Sequence, residues 1–393
     1  MAKIINTRSP FYVKYTDNDV TYNLNTVQLD IWVYEDAVND WGTKEYSIQK
    51  PVIGGQNYVV FEISELIRDF ITSDFRGDYG SNETSTKWVR LVAVGRDANG
   101  NSVTINPAST QYYVATDGYG YFEEGANPDF DEGLMISEGT IYRINDRSIN
   151  IPVSAETTNS VSFRNKGEEK LSVTITDNGL SEQKIQYISS DNNSSADSYK
   201  DRVLGLGGVF EYNSLLQAFE DSIDIGEVDE VYVNYTNDTE TRTKVLNVKT
   251  FDCSKYDPIK VTFVNKYGAF QDLYFTRRSN ESINVKTESY KASVMQLGTI
   301  SYNTSEHQVR TFNLVGNESI TLNTDYIDES CNEHIRKLML SEQVWMTRLT
   351  DEEKIVPLKV KSNSLQIKKK VNDKLIQYTM QFDVAVDKIN NIR

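Results

Sequence analysis

Apolar and polar residues alternate along several segments of the chain, and this two-residue period limits the fold more than any other feature. Near the C-terminus, Tyr378, Met380, Phe382 and Val384 alternate with polar residues, and the segment 27–33 shows the same pattern. A β-strand sends successive side chains to opposite faces of its sheet. The alternation therefore predicts strands with one packed face and one wet or docked face, typical of antiparallel sheets and not of a parallel α/β core.

Three short segments instead carry apolar residues at spacings of three and four, the period of an amphipathic helix. We expect helices near residues 63–73, 214–223 and 325–340. Ser64 is placed to cap the first helix, because a serine hydroxyl can accept a hydrogen bond from an N–H at a helix start. The predicted buried stripes are Ile63, Leu66, Ile67, Phe70 and Ile71; Leu215, Leu216, Phe219 and Ile223; and Ile327, Cys331, Ile335, Leu338 and Met339.

Each predicted helix is followed by two strands that a polar turn connects. The turns lie at 97–100, 237–240 and 350–353. The first contains Asn99 and Gly100, a pair that favours a tight hairpin because both residues tolerate a positive φ. The same β-helix-hairpin module is therefore expected three times.

A chain of 393 residues is long enough for two to four domains of ordinary size. The glycine-containing segment 117–133 breaks both periods, so we interpret it as an ordered linker or an extended arm. We expect a mainly β protein with three antiparallel β-sandwich-like domains of the immunoglobulin or fibronectin type, each with one short helix. The predicted domains are 1–116, 134–257 and 258–393.

The chain carries 41 basic and 57 acidic side chains, a formal net charge of −16. This balance repels a nucleic-acid backbone unless basic residues cluster on one face. For the one dense basic group, we favour a solvated strand face or the complement of an acidic neighbouring subunit over contact with nucleic acid. The group comprises Lys359, Lys361, Lys368, Lys369, Lys370 and Lys374.

No window of the sequence approaches the roughly 20 apolar residues that a membrane-spanning helix needs. Residues 1–8 carry no apolar stretch of signal-peptide length. We therefore expect no membrane association, and a chain that is made and kept in a cytoplasm until it is assembled or released. Cys253 and Cys331 fit that compartment, although a disulfide between them is left open.

The sequence offers few residues for catalysis or for holding a metal. His307 and His334 are the only histidines and each stands alone, whereas a metal site or a catalytic triad needs several side chains at defined spacing. For Cys331 and His334 we favour a core cysteine beside a surface histidine over a zinc or thiol site. We therefore expect no catalytic, cofactor-binding or metal-binding residues, and no enzymatic activity.

Two other patterns match ligand-binding motifs only in part. Residues 205–208 lack the third glycine of a dinucleotide fingerprint and the ending of a P-loop, so we favour a flexible turn. Asp129, Asp131 and Glu132 alternate as calcium ligands do, but Thr140 stands where an EF-hand loop has its bidentate glutamate. A solvated acidic linker is favoured there over an ion site.

Five aromatic residues cluster where the first domain ends and the linker begins. We favour contact with a neighbouring subunit, because an aromatic, glycine-containing segment that leaves a domain can lie across another chain. Ordinary packing of the last strand and stacking on carbohydrate are the alternatives. The candidate subunit-interface residues are Tyr112, Tyr113, Tyr119, Tyr121 and Phe122.

Four strings of the sequence carry a resemblance to known proteins: IINTRSP at 4–10, VNKYGAF at 264–270, SEQVW at 341–345 and NDKLIQYT at 372–379. They are similar to strings in virion proteins of tailed bacteriophages of the Bacteroidota, including crAss-like phages. The resemblance touches both termini and most of the third domain, and leaves the middle domain unmatched.

The resemblance implies a non-enzymatic structural protein of the neck, tail or baseplate, a ring-forming or adaptor component of the virion that is assembled in the host cytoplasm. It implies other virion proteins as partners, among them tail, neck or portal-proximal proteins, and a homo-oligomeric ring. No catalytic residue carries over, and no direct nucleic-acid binding is expected. A receptor-binding, fibre-like adhesin that recognises host surface glycans is the alternative.

Overall fold

A computed structural model shows a mainly β protein with several antiparallel sheets, which confirms the fold class that the alternation predicted. The described residues contain two α-helices. These residues are 3–18, 23–34, 42–54, 56–73, 75, 81–82, 86–107, 110–128, 142–143, 148–152, 158–166, 170–177, 181–188, 199–207, 228–236, 241–251, 255–256, 258–268, 270–295, 298, 300–327, 329–348, 355–368 and 376–389.

The first part of the chain forms two sheets. The described strands are β1 (Lys3–Asn6), β2 (Tyr12–Asp17), β3 (Thr26–Tyr34), β4 (Tyr46–Pro51), β5 (Tyr58–Glu62), β6 (Ser81–Asn82), β7 (Thr86–Arg96), β8 (Ser102–Val103), β9 (Ile105–Asn106) and β10 (Thr110–Thr116), with helix α1 at Ser64–Arg68. One sheet has the order β1, β10, β7, β3, β4, with β8 beside β7, and the other has the order β5, β2, β9. β1 runs parallel to β10, and the other pairs are antiparallel.

Both sheets and helix α1 contribute side chains to one apolar core. Along β3 buried residues alternate with half-buried ones, as the pattern at 27–33 predicted, and Val27, Leu29 and Ile31 are fully buried. Ile67 of α1 fills the same core. The first part is therefore a sandwich-like unit with one short helix, as expected.

Helix α1 starts differently from the prediction. The Ser64 hydroxyl accepts no capping hydrogen bond; instead the Ser64 N–H donates to Glu62 Oε1 at 2.9 Å, and the Ser64 hydroxyl donates to the same oxygen. The predicted serine cap was wrong, because a carboxylate is the stronger acceptor and is favoured at the positive end of a helix. The helix ends at Arg68, although Ile71 of the predicted stripe is still buried.

The middle part contains two further sheets. Its described strands are β11 (Tyr142–Arg143), β12 (Ser148–Pro152), β13 (Thr158–Lys166), β14 (Lys170–Asp177), β15 (Ser181–Ile188), β16 (Tyr199–Gly207), β17 (Val228–Thr236) and β18 (Thr241–Phe251). The sheet orders are β11, β13, β16, β6 and β12, β18, β17, β14, β15, so β6 of the first part joins a sheet of the middle part.

Two predictions about the middle part meet different outcomes. Residues 205–207 end strand β16 and pair with β13, so the flexible turn predicted at 205–208 was wrong for them. Gly205 and Gly207 pair with Ser160 and Thr158 of β13, so both are strand residues. The predicted helix at 214–223 lies outside the described residues, as does Cys253.

The third part is built on one seven-stranded antiparallel sheet. Its strands are β19 (Ile259–Val264), β20 (Phe270–Phe275), β21 (Asn280–Lys291), β22 (Val309–Asn323), β23 (Val344–Arg348), β24 (Ile355–Val360) and β25 (Thr379–Val384). Their order is β20, β19, β23, β24, β25, β22, β21. Helix α2 (Asn332–Met339) follows a 3-10 turn at Glu329–Cys331.

This sheet curls so that β20 returns to β22. The N–H of Arg277 donates to Asn323 O at 3.2 Å, and the rings of Phe275 and Phe382 are 6.1 Å apart. In a flat sheet the five steps from β20 to β22 would separate them by about 24 Å. The curl encloses a second apolar core, to which Leu338 of α2 contributes.

Helix α2 confirms the buried stripe of the third predicted helix but begins later than expected. Cys331, Ile335 and Leu338 are fully buried. Ile327, which was predicted to lie in the helix, instead exchanges backbone hydrogen bonds with Ile376. That bridge keeps the chain extended, so the helix cannot begin at residue 325.

The three predicted hairpins are confirmed. β7 pairs with β8, β17 with β18, and β23 with β24, all antiparallel. At the first turn Gly100 takes a positive φ of 86°, and its N–H donates to Asp97 O at 3.1 Å. The other two predicted turns, 237–240 and 350–353, lie outside the described residues.

The segment predicted to begin a linker packs between the first and third parts of the chain. Its described portion is 117–128, and residues 129–133 lie outside the described residues. The Tyr119 N–H donates to Lys266 O at 2.8 Å, and the Tyr121 hydroxyl donates to Glu333 Oε1 at 2.6 Å. The segment thus connects β10 to both the β19–β20 turn and helix α2.

Direct bonds also join the first part to the third. The Thr116 hydroxyl donates to Tyr267 O at 3.1 Å, and Arg8 Nη2 donates to Leu340 O at 2.9 Å. Together with the segment 117–128 they form one continuous contact region, which we call the junction. Strand β10 and helix α2 therefore have fixed positions relative to each other.

Candidate functional site

The longest strand pair of the third part projects beyond the sheet. β21 pairs with β22 along all of its twelve residues, whereas β25 pairs with β22 only over 319–323. One further backbone bond, from Lys388 N–H to Gly316 O at 2.8 Å, extends that second pairing. The described residues beyond this point form a ribbon of two strands, and we call residues 280–318 the arm.

The arm is exposed and unusually apolar. Every residue of β21 is exposed, and so are residues 309–312 at the start of β22. Half of the eighteen exposed large apolar side chains in the described part of the chain lie on the arm. Such a concentration marks an interaction site, whereas scattered single residues are normal. The nine are Ile283, Val285, Tyr290, Met295, Ile300, Tyr302, Val309, Phe312 and Leu314.

The register places these side chains on both faces of the ribbon. Thr287 lies opposite Leu314, so Leu314 shares a face with Val285, two residues from Thr287. Tyr290 points to the other face, where its ring lies 6.2 Å from the ring of Phe312. Both faces of the arm therefore present apolar groups to solvent.

β21 is also the outer strand of its sheet, and no described strand lies against its free edge. An edge strand presents a row of backbone N–H and C=O groups that can pair with another chain. The side-chain charges of β21 sum to zero and alternate in sign along the strand; they belong to Glu281, Lys286, Glu288 and Lys291. Charges on an edge discourage indiscriminate pairing, so this edge suits a partner with a matching pattern.

A groove of about 780 Å³ opens where the arm leaves the sheet. Two ion pairs cross its rim: Arg348 bonds to Glu281, and Lys388 Nζ lies 2.9 Å from Glu318 Oε1. They connect β23 and the segment after β25 to the base of the arm. Apolar groove residues are Ile283, Ile320, Met346, Val356 and Val384.

The predicted interface aromatics separate into buried and exposed groups. Tyr113 packs edge-on against Phe11 at 5.5 Å, and burial raises its pKa. Tyr119 is also buried, with the guanidinium of Arg8 4.8 Å from the centre of its ring. Tyr121 is half-buried. The alternative of ordinary packing is therefore what the structure shows for Tyr113 and Tyr119.

Tyr112 and Phe122 remain exposed, at 49% and 99%. Tyr112 lines a second groove of about 460 Å³ together with Tyr12, which is 43% exposed. Phe122 begins a 3-10 turn at Phe122–Glu124. For these two residues, contact with a neighbouring subunit stays a prediction.

His334 lies in a different environment from the one predicted. It is only 4% exposed, so the surface histidine was wrong, whereas the core cysteine was right because Cys331 is fully buried. The reason is that helix α2 is covered on two sides, by the third-part core and by the junction. Lys337 of the same helix is 1% exposed, with Nζ 4.8 Å from the centre of the Tyr267 ring.

The predicted basic group is only partly described. Lys361 Nζ lies 2.9 Å from Asp383 Oδ1, and Lys368 Nζ donates to Gln377 O at 2.7 Å. Lys369, Lys370 and Lys374 lie outside the described residues, as do Asp129, Asp131, Glu132 and Thr140.

Sequence reasoning missed the arm. Its strands, of twelve and fifteen residues, are far longer than the usual five or six, and this length is the signal that could have revealed it.

Among the described His, Cys, Asp and Glu side chains, no group of three or more could hold a metal ion. None of the described helices is long and apolar enough to span a bilayer. No protein-family model matches the chain, and no curated protein matches it.

Proposed function

We propose that this chain is a non-enzymatic structural component of a tailed bacteriophage particle, a ring-forming or adaptor protein of the neck, tail or baseplate. The arm carries the proposal. Its exposed apolar side chains belong to neither of the described cores, so they are placed to bind another protein. An assembly protein needs such a surface, because its function is the contact itself.

The body of the protein supports this role by holding the arm in position. The junction fixes the first part against helix α2, and the base of the arm continues into the second core through Ile320 and Leu322. The six residues of β21 that pair beyond Gly316, 286–291, span about 20 Å, so the arm can reach beyond the body that carries it.

The strings that resemble virion proteins also favour a structural role. Arg8 Nη2 lies 3.3 Å from Glu342 Oε1, and the Val264 N–H donates to Gln343 O at 3.2 Å. The string 341–345 therefore contacts both of the strings 4–10 and 264–270, and these contacts serve the fold.

The proposal is tested in the phage that encodes the chain. We expect peptides of this protein to copurify with gradient-purified particles, at a fixed ratio to the other tail proteins. Its absence from the particles would refute the proposal. Binding of the isolated protein to host cells or to their polysaccharides, with no copy in the particle, would favour an adhesin instead.

A second experiment tests the arm. Residues 287–314 are replaced by Asn-Gly, which joins Lys286 to its register partner Val315 through a two-residue hairpin turn. We expect the tagged variant to keep its melting temperature, since the deletion removes none of the described core residues, and to be excluded from particles that admit the tagged wild-type chain. Equal incorporation of both would show that the arm is not the assembly surface.

A further inference from the structure

We infer that the partner of the arm is a second copy of this chain, whose β21 pairs antiparallel with β21 of the first copy, centred on Thr287. The inference rests on the proposed assembly function and names the partner of its central surface. It follows from the free edge of β21 and from the order of charges along that strand.

A symmetric pair of antiparallel strands restricts the register. Residues that face each other must point to the same side of the sheet, so the two sequence numbers must add to an even sum. Each allowed register is then centred on one residue that faces its own copy across a twofold axis. The choice lies among the residues near the middle of β21.

The registers differ in which charged side chains they place opposite each other. Centred on Thr287, the pairing sets Lys286 of each copy opposite Glu288 of the other, which gives two favourable cross-strand pairs. Centred on Lys286, it gains two Glu281–Lys291 pairs but sets Lys286 directly against its own copy, and centred on Glu288 it gains no ion pair and sets Glu288 against its own copy. Centred on Val285, it leaves Lys286 opposite Asn284 and gains no ion pair. The strand is thus charge-complementary to itself about Thr287.

The same register suits the apolar side chains. It sets Val285 opposite Ser289, a small residue that leaves room, and Ile283 opposite Lys291, whose aliphatic stem can cover it. Leu314 lies on the same face, opposite Thr287 within each copy. Two arms therefore form a four-stranded ribbon in which Ile283, Val285 and Leu314 of both copies share one face.

This contact closes at two copies. A twofold interface uses the same patch on both partners, so it gives a dimer and leaves no free β21 for a third chain. A ring of these chains therefore needs a second interface, for which Tyr112 and Phe122 are the exposed candidates.

The first test exchanges the charges. We expect the wild-type chain to dimerise in sedimentation experiments, and K286E and E288K each to weaken the dimer about tenfold by facing like charges across the seam. The double variant K286E/E288K restores the complementary order, so its dimer should match the wild-type dimer. A double variant weaker than either single one would overturn the register.

The second test is a cross-link. In the proposed register Thr287 faces itself, so T287C should give a covalent dimer on mild oxidation, since opposed Cβ atoms in a sheet lie about 5 Å apart. S282C on the same exposed strand is the matched control, because its two copies lie about 34 Å apart in that register. Equal cross-linking of both variants, or none with T287C, contradicts the inference.

The two proposals can fail separately. A wild-type chain that stays monomeric at ~100 µM, yet needs its arm to enter particles, refutes the second copy as partner and leaves the assembly function standing. A chain that dimerises through β21 but is absent from particles refutes the assembly function alone.

Discussion

The Tyr121 hydroxyl donates a hydrogen bond to Glu333 Oε1 at 2.6 Å, across 212 residues of sequence. Lys266 Nζ lies 4.3 Å from the centre of the same tyrosine ring and also bonds to Glu124. One aromatic side chain therefore links the segment after β10, the β19–β20 turn and helix α2. Disrupting this contact tests whether the junction stabilises the whole chain.

We expect Tyr121→Phe to lower the free energy of unfolding by about 1–2 kcal/mol, because it leaves the Glu333 carboxylate without this donor. Urea unfolding followed by circular dichroism measures the change. Tyr302→Phe removes a hydroxyl from an exposed tyrosine of the arm and should have no effect. Equal stability of the two variants would show that the junction bond contributes nothing.

The raised pKa of Tyr121 predicts a loss of stability at alkaline pH. Burial, and then the hydrogen bond to Glu333, raise the pKa of Tyr121, and burial also raises the pKa of Tyr15. The folded state then holds these protons more tightly than the unfolded state, so the stabilisation is complete below about pH 10 and is lost as the pH rises further. We expect the free energy of unfolding to fall as the pH rises above about 10, and to fall less steeply for Tyr121→Phe. Identical slopes would contradict this assignment.

Leu338→Asp should prevent stable folding of the third part, with a loss of at least about 3 kcal/mol, because it buries an unpaired charge in the second core. Thermal unfolding of the purified variant measures the effect. Val386→Asp, at a position that is 54% exposed, is the control and should change the free energy by less than about 0.5 kcal/mol. Normal stability of Leu338→Asp would show that the helix does not belong to the core.

Gly268→Ala should destabilise the junction by more than about 2 kcal/mol. The residue has a φ of 77°, and an added Cβ would lie 2.7 Å from Thr116 Oγ1 and 2.9 Å from the backbone of Asp117. Gly125→Ala is the control that introduces backbone strain without a steric clash, since Gly125 has a similar φ of 78° but open space around it. We expect Gly125→Ala to lower the free energy of unfolding by about 1 kcal/mol. Equal losses for the two variants would mean that the steric clash at residue 268 is relieved without an energetic cost.

Burial raises the pKa of Asp117, an effect that Arg8 and Arg68 oppose. The stability that a raised folded pKa contributes is present below the unfolded value of about 3.9 and is lost as the pH rises through the folded value. The free energy of unfolding of Asp117→Asn, relative to that of the wild-type chain, should therefore be higher at pH 7 than at about pH 4. Urea unfolding at the two pH values measures the difference, and a change of opposite sign would refute the assignment.

Local patterns allowed much of the fold to be predicted. Alternation at 27–33 and 378–384 identified strands, and turn residues such as Gly100 located hairpins, because each depends on neighbours in sequence. The predicted aromatic cluster is divided between solvent and core for the same local reason. Tyr112 and Tyr113 are adjacent in β10, so the strand sends one to solvent and the other into the core.

The exposure of the arm could not be predicted in this way. Ile283 and Val285 alternate with polar residues just as a half-buried strand does, and what covers them depends on distant strands. Because β25 ends at Val384, β22 loses that neighbour towards the tip and both strands emerge from the sheet. The burial of His334 likewise depends on the junction, which brings together segments more than two hundred residues apart.

Since none of the described side chains between 280 and 318 belongs to the second core, the sequence of the arm is nearly independent of the sequence that folds the body. If the arm is the proposed assembly surface, exchange of the codons for 280–318 should change what the protein binds and leave the fold of the body in place.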